Sequence, residues 1–312
     1  DGDLDFSIGA GPANGTLQPD YLYRNLLTET ATADFENVAE APIATDDQDG
    51  QVWNWIDYDN DGDLDAYVTN WGGPLGGGAN RLYQQQGDGT FVEITGQPIT
   101  DDVSVSLASI WEDFDNDGDL DCYVGNDGAR QDRLYDNQGD GTFLADNGTP
   151  VTMPAQARRG ACAGDYDNDG DVDLFVNGPG TSRSLYRNDN ANGNAFAKIT
   201  LVGTTSNPTG IGAKVRLLAT IGGNPVWQRR DVSAHNSFNS HSDQRAQFTS
   251  WGFTHRARSD RHVPVGTVVV RPTNIIGGER SSQSLQVVVF VAFGLGAVPP
   301  VHPPGHRPLR RP

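Results

Sequence analysis

Short apolar runs alternate with turns rich in glycine and aspartate along the first two thirds of the chain. Three of these runs favour β-structure: Ala-Tyr-Val-Thr at 66–69, Cys-Tyr-Val-Gly at 122–125 and Leu-Phe-Val-Asn at 174–177. Each is followed by a Leu-Tyr pair and then by a glycine turn that leads into a phenylalanine. Short β-favouring runs between turn residues predict antiparallel strands joined by hairpins.

These elements repeat along the chain. The glycine turns are Gly-Asp-Gly-Thr-Phe at 87–91 and 139–143 and the degenerate Asn-Gly-Asn-Ala-Phe at 192–196, whose phenylalanine is expected to enter the next strand in the same way. A period of roughly fifty residues with several short strands predicts four-stranded blades of the β-propeller type. Residues 1–5 reproduce residues 61–65, which predicts that the chain opens within a repeat, with a partial first blade. The predicted fold class is all-β.

An acidic loop precedes each β-favouring run, and we name these loops A (57–65), B (113–121) and C (165–173). Each loop has aspartate at positions 1, 3, 5, 7 and 9 and glycine at position 6. This pattern suits an all-oxygen Ca²⁺ site in which position 7 supplies its main-chain oxygen, as Asp63 would in loop A, and glycine supplies the sharp bend. Ca²⁺ is favoured over Mg²⁺ because a flexible, carboxylate-rich loop suits about six to eight ligands. The predicted metal-binding residues, for about three Ca²⁺ ions, are Asp57, Asp59, Asp61, Asp63, Asp65, Asp113, Asp115, Asp117, Asp119, Asp121, Asp165, Asp167, Asp169, Asp171 and Asp173.

Two other interpretations of the loops agree less well with the sequence. An EF-hand would place a glutamate at loop position 12, between two helices. That position is Val68, Val124 and Val176, each inside a β-favouring run, so the EF-hand is excluded. Solvated acidic turns without metal are disfavoured, because closely spaced carboxylates repel one another and the ligand pattern occurs three times.

Charge divides the chain near Ala197. Residues 1–197 contain 37 acidic and 8 basic side chains, whereas residues 198–312 contain 4 acidic and 14 basic ones, within a net charge of −19. The change predicts a domain boundary there, between a repeat domain at 1–197 and a second region at 198–289, and a proline-rich tail follows at 290–312. The acidic balance argues against nucleic-acid binding. The longest apolar run, 285–298, is too short for a transmembrane helix.

The acidic loops resemble the FG-GAP/VCBS repeats of integrin-α-like β-propellers, over residues 1 to about 197. This resemblance implies Ca²⁺ in hairpin loops at the blade edges. The stretch Asn-Pro-Thr-Gly-Ile-Gly-Ala-Lys-Val-Arg at 207–216 resembles the start of an ASPIC/UnbV domain, and residues 241–248 and 264–267 also resemble that domain. This second resemblance implies a small β domain at 198–289. That family continues the phenylalanine at 248 with Gly-Leu-Gly, where this chain has Thr-Ser-Trp.

The expected function is that of a secreted or cell-surface, calcium-stabilised structural or adhesive protein. No enzymatic activity is expected, because nucleophile elbows, phosphate-binding glycine loops and HExxH motifs are absent from the sequence. Head-to-tail self-association into an oligomer or fibre is also expected, since residues 284–293 read as a strand able to complete an open sheet. Two alternatives stay open: a carbohydrate-binding or lyase-type propeller, and an integrin-like protein-adhesion module. Glycans and extracellular proteins are therefore further candidate partners.

Several residues near the repeats admit two interpretations. Cys122 and Cys162 could form a disulfide outside the cell or serve as small buried side chains. Asn14 and Asn147 begin glycosylation sequons in turn-rich segments. The tryptophans beside the acidic loops are Trp53, Trp55 and Trp111. A place in the blade core is favoured for them over a sugar-binding surface, because large aromatic rings dominate core packing.

Overall fold

Antiparallel strands make up nearly all of the regular structure, as the alternating pattern predicts. A computed structural model describes residues 5–11, 16–72, 76–153, 155–190, 194–201, 208–221, 223–234, 237–238, 240–250 and 290–292. Within these ranges the helices are single turns and the strands form successive meanders. The predicted all-β fold class is confirmed.

The elements fall into four groups along the chain. The first group contains β1 (Phe6–Ile8), β2 (Gln18–Pro19), β3 (Tyr21–Asn25), α1 (Leu27–Thr30), β4 (Phe35–Asn37), α2 (Pro42–Thr45) and β5 (Asp47–Gln48). The second contains β6 (Gly50–Ile56), β7 (Asp65–Asn70), β8 (Gly78–Ala79), β9 (Arg81–Gln85), β10 (Phe91–Ile94), α3 (Pro98–Asp101) and β11 (Val103–Ser104). The third contains β12 (Ser106–Glu112), β13 (Asp121–Asn126), β14 (Arg133–Asn137), β15 (Phe143–Asp146), β16 (Gly160–Gly164), β17 (Asp173–Asn177) and β18 (Ser184–Tyr186). The last contains β19 (Ala195–Ile199), β20 (Lys214–Ile221), β21 (Asn224–Asp231), β22 (Ala246–Ser250) and β23 (Phe290–Ala292).

Four antiparallel sheets follow one another along the chain, and we name them blades 1 to 4. Blade 1 has the order β1-β3-β4, blade 2 the order β6-β7-β9-β10, blade 3 the order β12-β13-β14-β15 and blade 4 the order β16-β17-β18. Blades 2 and 3 are therefore complete four-stranded meanders. The first strands of blades 2, 3 and 4 lie side by side, because β12 packs against both β6 and β16. This is the arrangement of inner strands expected for consecutive propeller blades.

Large aromatic side chains fill the space between the blades. Trp111 is buried between blades 2 and 3, where its ring meets those of Tyr67 and Phe143 edge-on, with centroid distances of 5.2 and 5.9 Å. Trp53 and Trp55 pack against a second apolar cluster formed by residues of blades 1 and 2. The interpretation of these tryptophans as blade core is confirmed.

The strands after blade 4 form a separate apolar cluster. In β20 every second side chain of residues 215–219 is buried, as period-2 alternation requires, and the cluster includes Val215, Leu217, Ile199 and Phe248. Two sheets contribute to it: β19 pairs with β22, and β20 pairs with β21 and β23. The predicted small C-terminal β unit thus has strands and a core, although its boundary with the repeats stays a prediction, since β19 runs across residue 197.

Phe196 enters the next strand as a buried side chain, as predicted, but that strand does not complete blade 4. Phe196 lies in β19, which pairs with β22 and not with β18. The glycine turns that close blades 2 and 3 contain Gly-Asp-Gly-Thr, and in blade 3 both the amide and the hydroxyl of Thr142 donate to Asp140. The segment at 192–196 has neither that aspartate nor that threonine. The residue types that hold the blade 3 turn are therefore absent from this part of the sequence.

The strand predicted within residues 284–293 also has a different partner. Its described part, β23, pairs with Lys214–Arg216 of β20 and does not complete blade 1. Three features noted in the sequence lie outside the described residues: the start of the partial repeat at 1–4, the sequon at Asn14 and the ASPIC/UnbV-like stretch at 264–267.

Candidate metal centres

The three acidic loops occupy equivalent places in the fold. Loops A, B and C join the first and second strands of blades 2, 3 and 4, so all three lie at the same end of their sheets. The position-12 valines lie in β7, β13 and β17, which confirms that these are not EF-hands. Consecutive blades therefore present their acidic loops side by side.

Positive backbone φ angles shape each loop. Gly62, Gly118 and Gly170 at position 6 have φ of 100°, 104° and 106°, a region that only glycine occupies without strain. The asparagines at position 4 have φ of about 60° and are Asn60, Asn116 and Asn168. Asparagine tolerates the left-handed region better than most residues. The predicted bend at position 6 is confirmed, and the role of position 4 adds a second bend that the ligand pattern does not reveal.

Carboxylates from each loop converge on a small volume. In every cluster, one oxygen from each of three aspartates lies within 4.8 Å of the others. The clusters are Asp57, Asp59 and Asp61 in loop A, Asp113, Asp115 and Asp121 in loop B, and Asp165, Asp167 and Asp173 in loop C. Positions 1 and 3 are thus brought together in all three loops, position 5 joins them in loop A, and position 9 joins them in loops B and C.

The aspartate at position 9 also holds the loop closed. In loop B, Asp121 accepts the Phe114 amide through Oδ2 at 3.0 Å and the Asn137 amide through Oδ1 at 2.9 Å. Asp65 and Asp173 make the corresponding pairs of bonds in loops A and C. Both oxygens therefore accept backbone N–H groups from two separate segments. Position 9 ties the loop to the third strand of its own blade.

Burial raises the pKa of several loop carboxyl groups. The pKa of Asp65 rises to about 8 and that of Asp113 to about 7, in both cases mainly because burial removes water from the carboxylate. Burial also raises the pKa of Asp121 well above its usual value, and the charge of Asp115 raises it further. Ionisation of these three buried carboxyl groups therefore destabilises the fold unless a positive charge lies close to them.

The donor set matches a hard divalent cation. Every ligand atom in the three clusters is a carboxylate oxygen, and neither sulfur nor imidazole takes part. Such a set favours Ca²⁺ or Mg²⁺ over transition metals. A bound cation would supply the positive charge that the buried carboxylates require. The carboxylate donors of the loops therefore fit the predicted ion.

The loops match a known repeat. Residues 57–124 and residues 113–176 each match the family described as FG-GAP-like repeat. The repeat part of this chain resembles FG-GAP-like repeats. In addition, 160 residues, or 47% of the chain, are 32% identical to cartilage acidic protein 1 of Xenopus tropicalis. The matched segment covers 23% of that relative, so the chain corresponds to less than a quarter of its length.

Asparagine side chains connect each FG-GAP-like loop to the next. Asn60 at position 4 of loop A donates to Asp119 at position 7 of loop B at 2.6 Å, and Asn116 donates to Asp171 of loop C at 2.6 Å. Position 7 thus serves the neighbouring blade with its side chain, a role separate from the main-chain oxygen predicted to bind metal. Sequence reasoning missed this contact, although the Asn at position 4 recurs unchanged in all three loops.

A second set of asparagines reinforces the same contact. Asn137, two residues after the Leu-Tyr pair of blade 3, donates to the carbonyl oxygens of Tyr58 in loop A at 2.8 Å and Leu120 in loop B at 3.2 Å. Asn188 of blade 4 makes the equivalent bonds to loops B and C. These amides satisfy loop carbonyls and hold adjacent loops together. The recurrence of Asn after Leu-Tyr was a signal in the sequence that could have revealed them.

Basic and polar side chains of the C-terminal strands reach all three loops. Arg229 donates to the Gly62 carbonyl of loop A at 2.8 Å, and Gln247 donates to the Gly170 carbonyl of loop C at 2.6 Å. At loop B, the Thr249 hydroxyl bonds with the Asn116 side chain at 3.2 Å. The abrupt change in charge along the chain therefore has a structural counterpart, because the basic part of the chain packs on the acidic loops.

The structure also shows the surroundings of the two cysteines and of Asn147. Cys122 and Cys162 are free thiols, and Cys122 is fully buried in the core between blades 2 and 3, as a small apolar side chain would be. Asn147 is exposed in the turn after β15, which leaves its glycosylation a prediction. Among the described residues, no helix has the length and apolar character needed to cross a membrane.

Proposed function

We propose that this chain is a calcium-stabilised β-propeller-type module of an extracellular protein, with a structural or adhesive role and no catalytic activity. The observation that carries the proposal is that loops A, B and C each gather three carboxylates, two of them always from positions 1 and 3. The match to FG-GAP-like repeats supports it, and so does the similarity to cartilage acidic protein 1. Ca²⁺ is present at millimolar concentration outside cells, the range that suits extracellular calcium modules.

Stability is the expected consequence of binding. The folded loops gather carboxylates whose ionisation is unfavourable in the dry interior, whereas the unfolded chain separates them. A cation that binds only the folded loops therefore stabilises the fold by mass action, by about 1.4 kcal/mol per site at a tenfold excess over the dissociation constant. The asparagine bonds between adjacent loops would transmit this stabilisation to the blade interfaces.

The test compares thermal unfolding in 2 mM Ca²⁺, in 2 mM Mg²⁺ and in excess chelator. We expect Ca²⁺ to raise the melting temperature on the order of 5–10 °C above that in chelator, and Mg²⁺ to raise it less. Asp113→Asn removes a ligand from loop B and should reduce this Ca²⁺-dependent shift. Asp88→Asn is the matched control, since Asp88 lies in an exposed turn outside the loops and should leave the shift unchanged. Identical melting with Ca²⁺ and with chelator would contradict the proposal.

Self-association is a second candidate property, and blade 1 favours it. Within the described part of the chain, β1 is an edge strand bonded only to β3. One face of this sheet exposes Phe6, Ile8, Tyr21 and Phe35 by 40 to 47%. Exposed apolar faces beside open sheet edges favour association. In sedimentation experiments we expect a concentration-dependent oligomer that Ile8→Lys weakens and Val103→Lys does not; a monomer at all concentrations would refute it.

A further inference from the structure

Lys198 differs from the other basic residues near the acidic loops in what it contacts. Its ammonium forms an ion pair with Oδ2 of Asp165, the first residue of loop C, and lies 3.5 Å from the main-chain oxygen of the same residue. Both side chains are buried, with 3% of Lys198 and none of Asp165 exposed. A lysine is rarely buried unless it is paired, so this contact is a specific feature of the fold.

Lys198 reaches loop C because its strand, β19, pairs with β22. Lys198 stands opposite Gln247 in the β19–β22 pair, and Gln247 donates to the Gly170 carbonyl of loop C. Phe196, two residues earlier, packs on Gly170, and the ammonium lies 5.6 Å from the centre of its ring. Strand β19, which follows blade 4, therefore places the positive charge of Lys198 beside loop C.

Loops A and B are different at the same position. Their first aspartates, Asp57 and Asp113, accept backbone amides of their own loops, as Asp165 also does. Neither forms an ion pair with a basic side chain in the described part of the chain. Arg229 donates to a loop A carbonyl, and the charges of Arg229 and Arg230 only partly offset the rise that burial causes in the pKa of Asp57 and Asp113. Loop C differs from loops A and B in having direct contact between an ammonium and its first aspartate.

We propose that Lys198 takes the place of a calcium ion at loop C, so that the three acidic loops bind two Ca²⁺ ions and one built-in ammonium. The inference rests on the proposed calcium binding and refines it. The ammonium uses the Asp165 oxygen that a calcium-type loop would offer from position 1. A divalent cation beside it would meet strong repulsion from a charge that cannot leave, because Lys198 is anchored within a paired strand. Loop C would thus hold the same conformation at every Ca²⁺ concentration without binding the ion, whereas loops A and B would bind Ca²⁺ as its concentration rises.

The decisive measurement is the number of Ca²⁺ ions bound, by equilibrium dialysis and by native mass spectrometry. We expect two per chain for the wild type and three for Lys198→Met, which keeps an apolar side chain of similar length but removes the charge. The only other lysine of the chain, Lys214, is exposed on β20, so Lys214→Met is the matched control and should bind two. Equal numbers for the wild type and Lys198→Met, at any value above zero, would overturn the inference and leave calcium binding intact.

Thermal unfolding supplies a readout that does not depend on counting ions. In chelator, Lys198→Met should melt below the wild type, because Asp165 is then buried without a positive partner. Ca²⁺ should restore Lys198→Met more than it raises the wild type, while Lys214→Met follows the wild type in both conditions. Absence of any Ca²⁺ effect on all three proteins would refute the proposed function itself, an outcome distinct from equal ion counts.

A spectroscopic measurement on the wild type keeps the inference testable if Lys198→Met fails to fold. The ammonium of a buried, ion-paired lysine exchanges its protons slowly enough to give a ¹H–¹⁵N signal, whereas the exposed Lys214 exchanges rapidly. We expect one protected lysine signal in chelator that persists in saturating Ca²⁺. Loss of the signal on Ca²⁺ addition would mean that the ion displaces the ammonium, and would overturn the inference.

Discussion

Blades 3 and 4 carry almost the same acidic loop but surround it differently. Loops B and C differ only at positions 2 and 8, where loop B has Phe and Leu and loop C has Tyr and Val. Blade 3 closes its sheet with β15, whereas in blade 4 the equivalent segment becomes β19 and pairs with β22. As a result Phe143 packs against Tyr58 and Trp111 between blades, while Phe196 packs on Gly170. Nearly identical loops can therefore acquire different partners, because the partners come from distant parts of the chain.

Blades 3 and 4 also differ in how the negative charge of their buried carboxylates is compensated. In loop B, burial raises the pKa of Asp113 and Asp121, and the charge of Arg230 offsets this only in part at Asp113, without a direct ion pair among the described residues. Loop C has a buried ammonium in contact with Asp165. Under the proposed calcium binding, loop B would depend on an external cation, whereas loop C has an ammonium from its own chain. The difference arises from the path of the chain after residue 190 and not from the loop itself.

The largest effect is expected at the ion pair that joins blades 3 and 4. Arg158, which precedes β16, and Asp132, which precedes β14, are both fully buried, with 3.5 Å between Nε and Oδ2. Asp132 also accepts the Tyr123 hydroxyl at 2.9 Å. Removal of the arginine would leave the carboxylate unpaired in the interior, so Arg158→Ala should lower the free energy of unfolding by about 3–5 kcal/mol in denaturant titrations.

The neighbouring arginine is a matched control for that variant. Arg159 also forms an ion pair, with Asp127 at 3.3 Å, but its side chain is 53% exposed. Arg159→Ala should change the free energy of unfolding by less than about 1 kcal/mol. If Arg158→Ala lowers the free energy of unfolding as little as Arg159→Ala does, the packing of blades 3 and 4 does not depend on this buried contact.

A smaller effect is expected from the asparagines that connect adjacent loops. Asn137 is fully buried and bonds to two loop carbonyls, so Asn137→Ala should lower the free energy of unfolding by about 1–3 kcal/mol. Asn188 makes the equivalent bonds from a partly exposed position in blade 4, and Asn188→Ala should cost less. The exposed Asn147 is the control, and Asn147→Ala should be nearly neutral. Equal losses at Asn137 and Asn188 would remove the predicted difference between the two blades.

Local chemistry explains why much of the fold could be predicted. The loops, their bends at Gly62, Gly118 and Gly170, and the strands that follow them were predicted correctly because each depends on residues close together in the sequence. The core role of Trp111 followed from its size and from its place in a β-favouring segment. The gathering of carboxylates at positions 1 and 3 followed from the spacing within a single turn.

The contacts that could not be predicted join distant segments. The segment at 192–196 lacks the Gly-Asp-Gly-Thr sequence, which indicated that its turn could differ from those of blades 2 and 3. It did not indicate that the strand containing Phe196 would pair with β22. The asparagine bonds between loops join residues of neighbouring blades, such as Asn60 and Asp119, and require the blades to be placed side by side. Lys198 could not be assigned to loop C from spacing, since its partner Asp165 belongs to a different strand pair.

Local sequence was sufficient to specify the all-β repeat, the three bends and the chemistry of the acidic loops, because turn geometry and carboxylate spacing act over a few residues. Which basic and amide groups meet each loop depended instead on how distant strands pack together. Burial makes these contacts energetically important, because an unpaired carboxylate is costly in the dry interior. Under the proposed calcium binding, the side chain that a distant strand places beside a loop would therefore decide whether that loop needs an ion from solution.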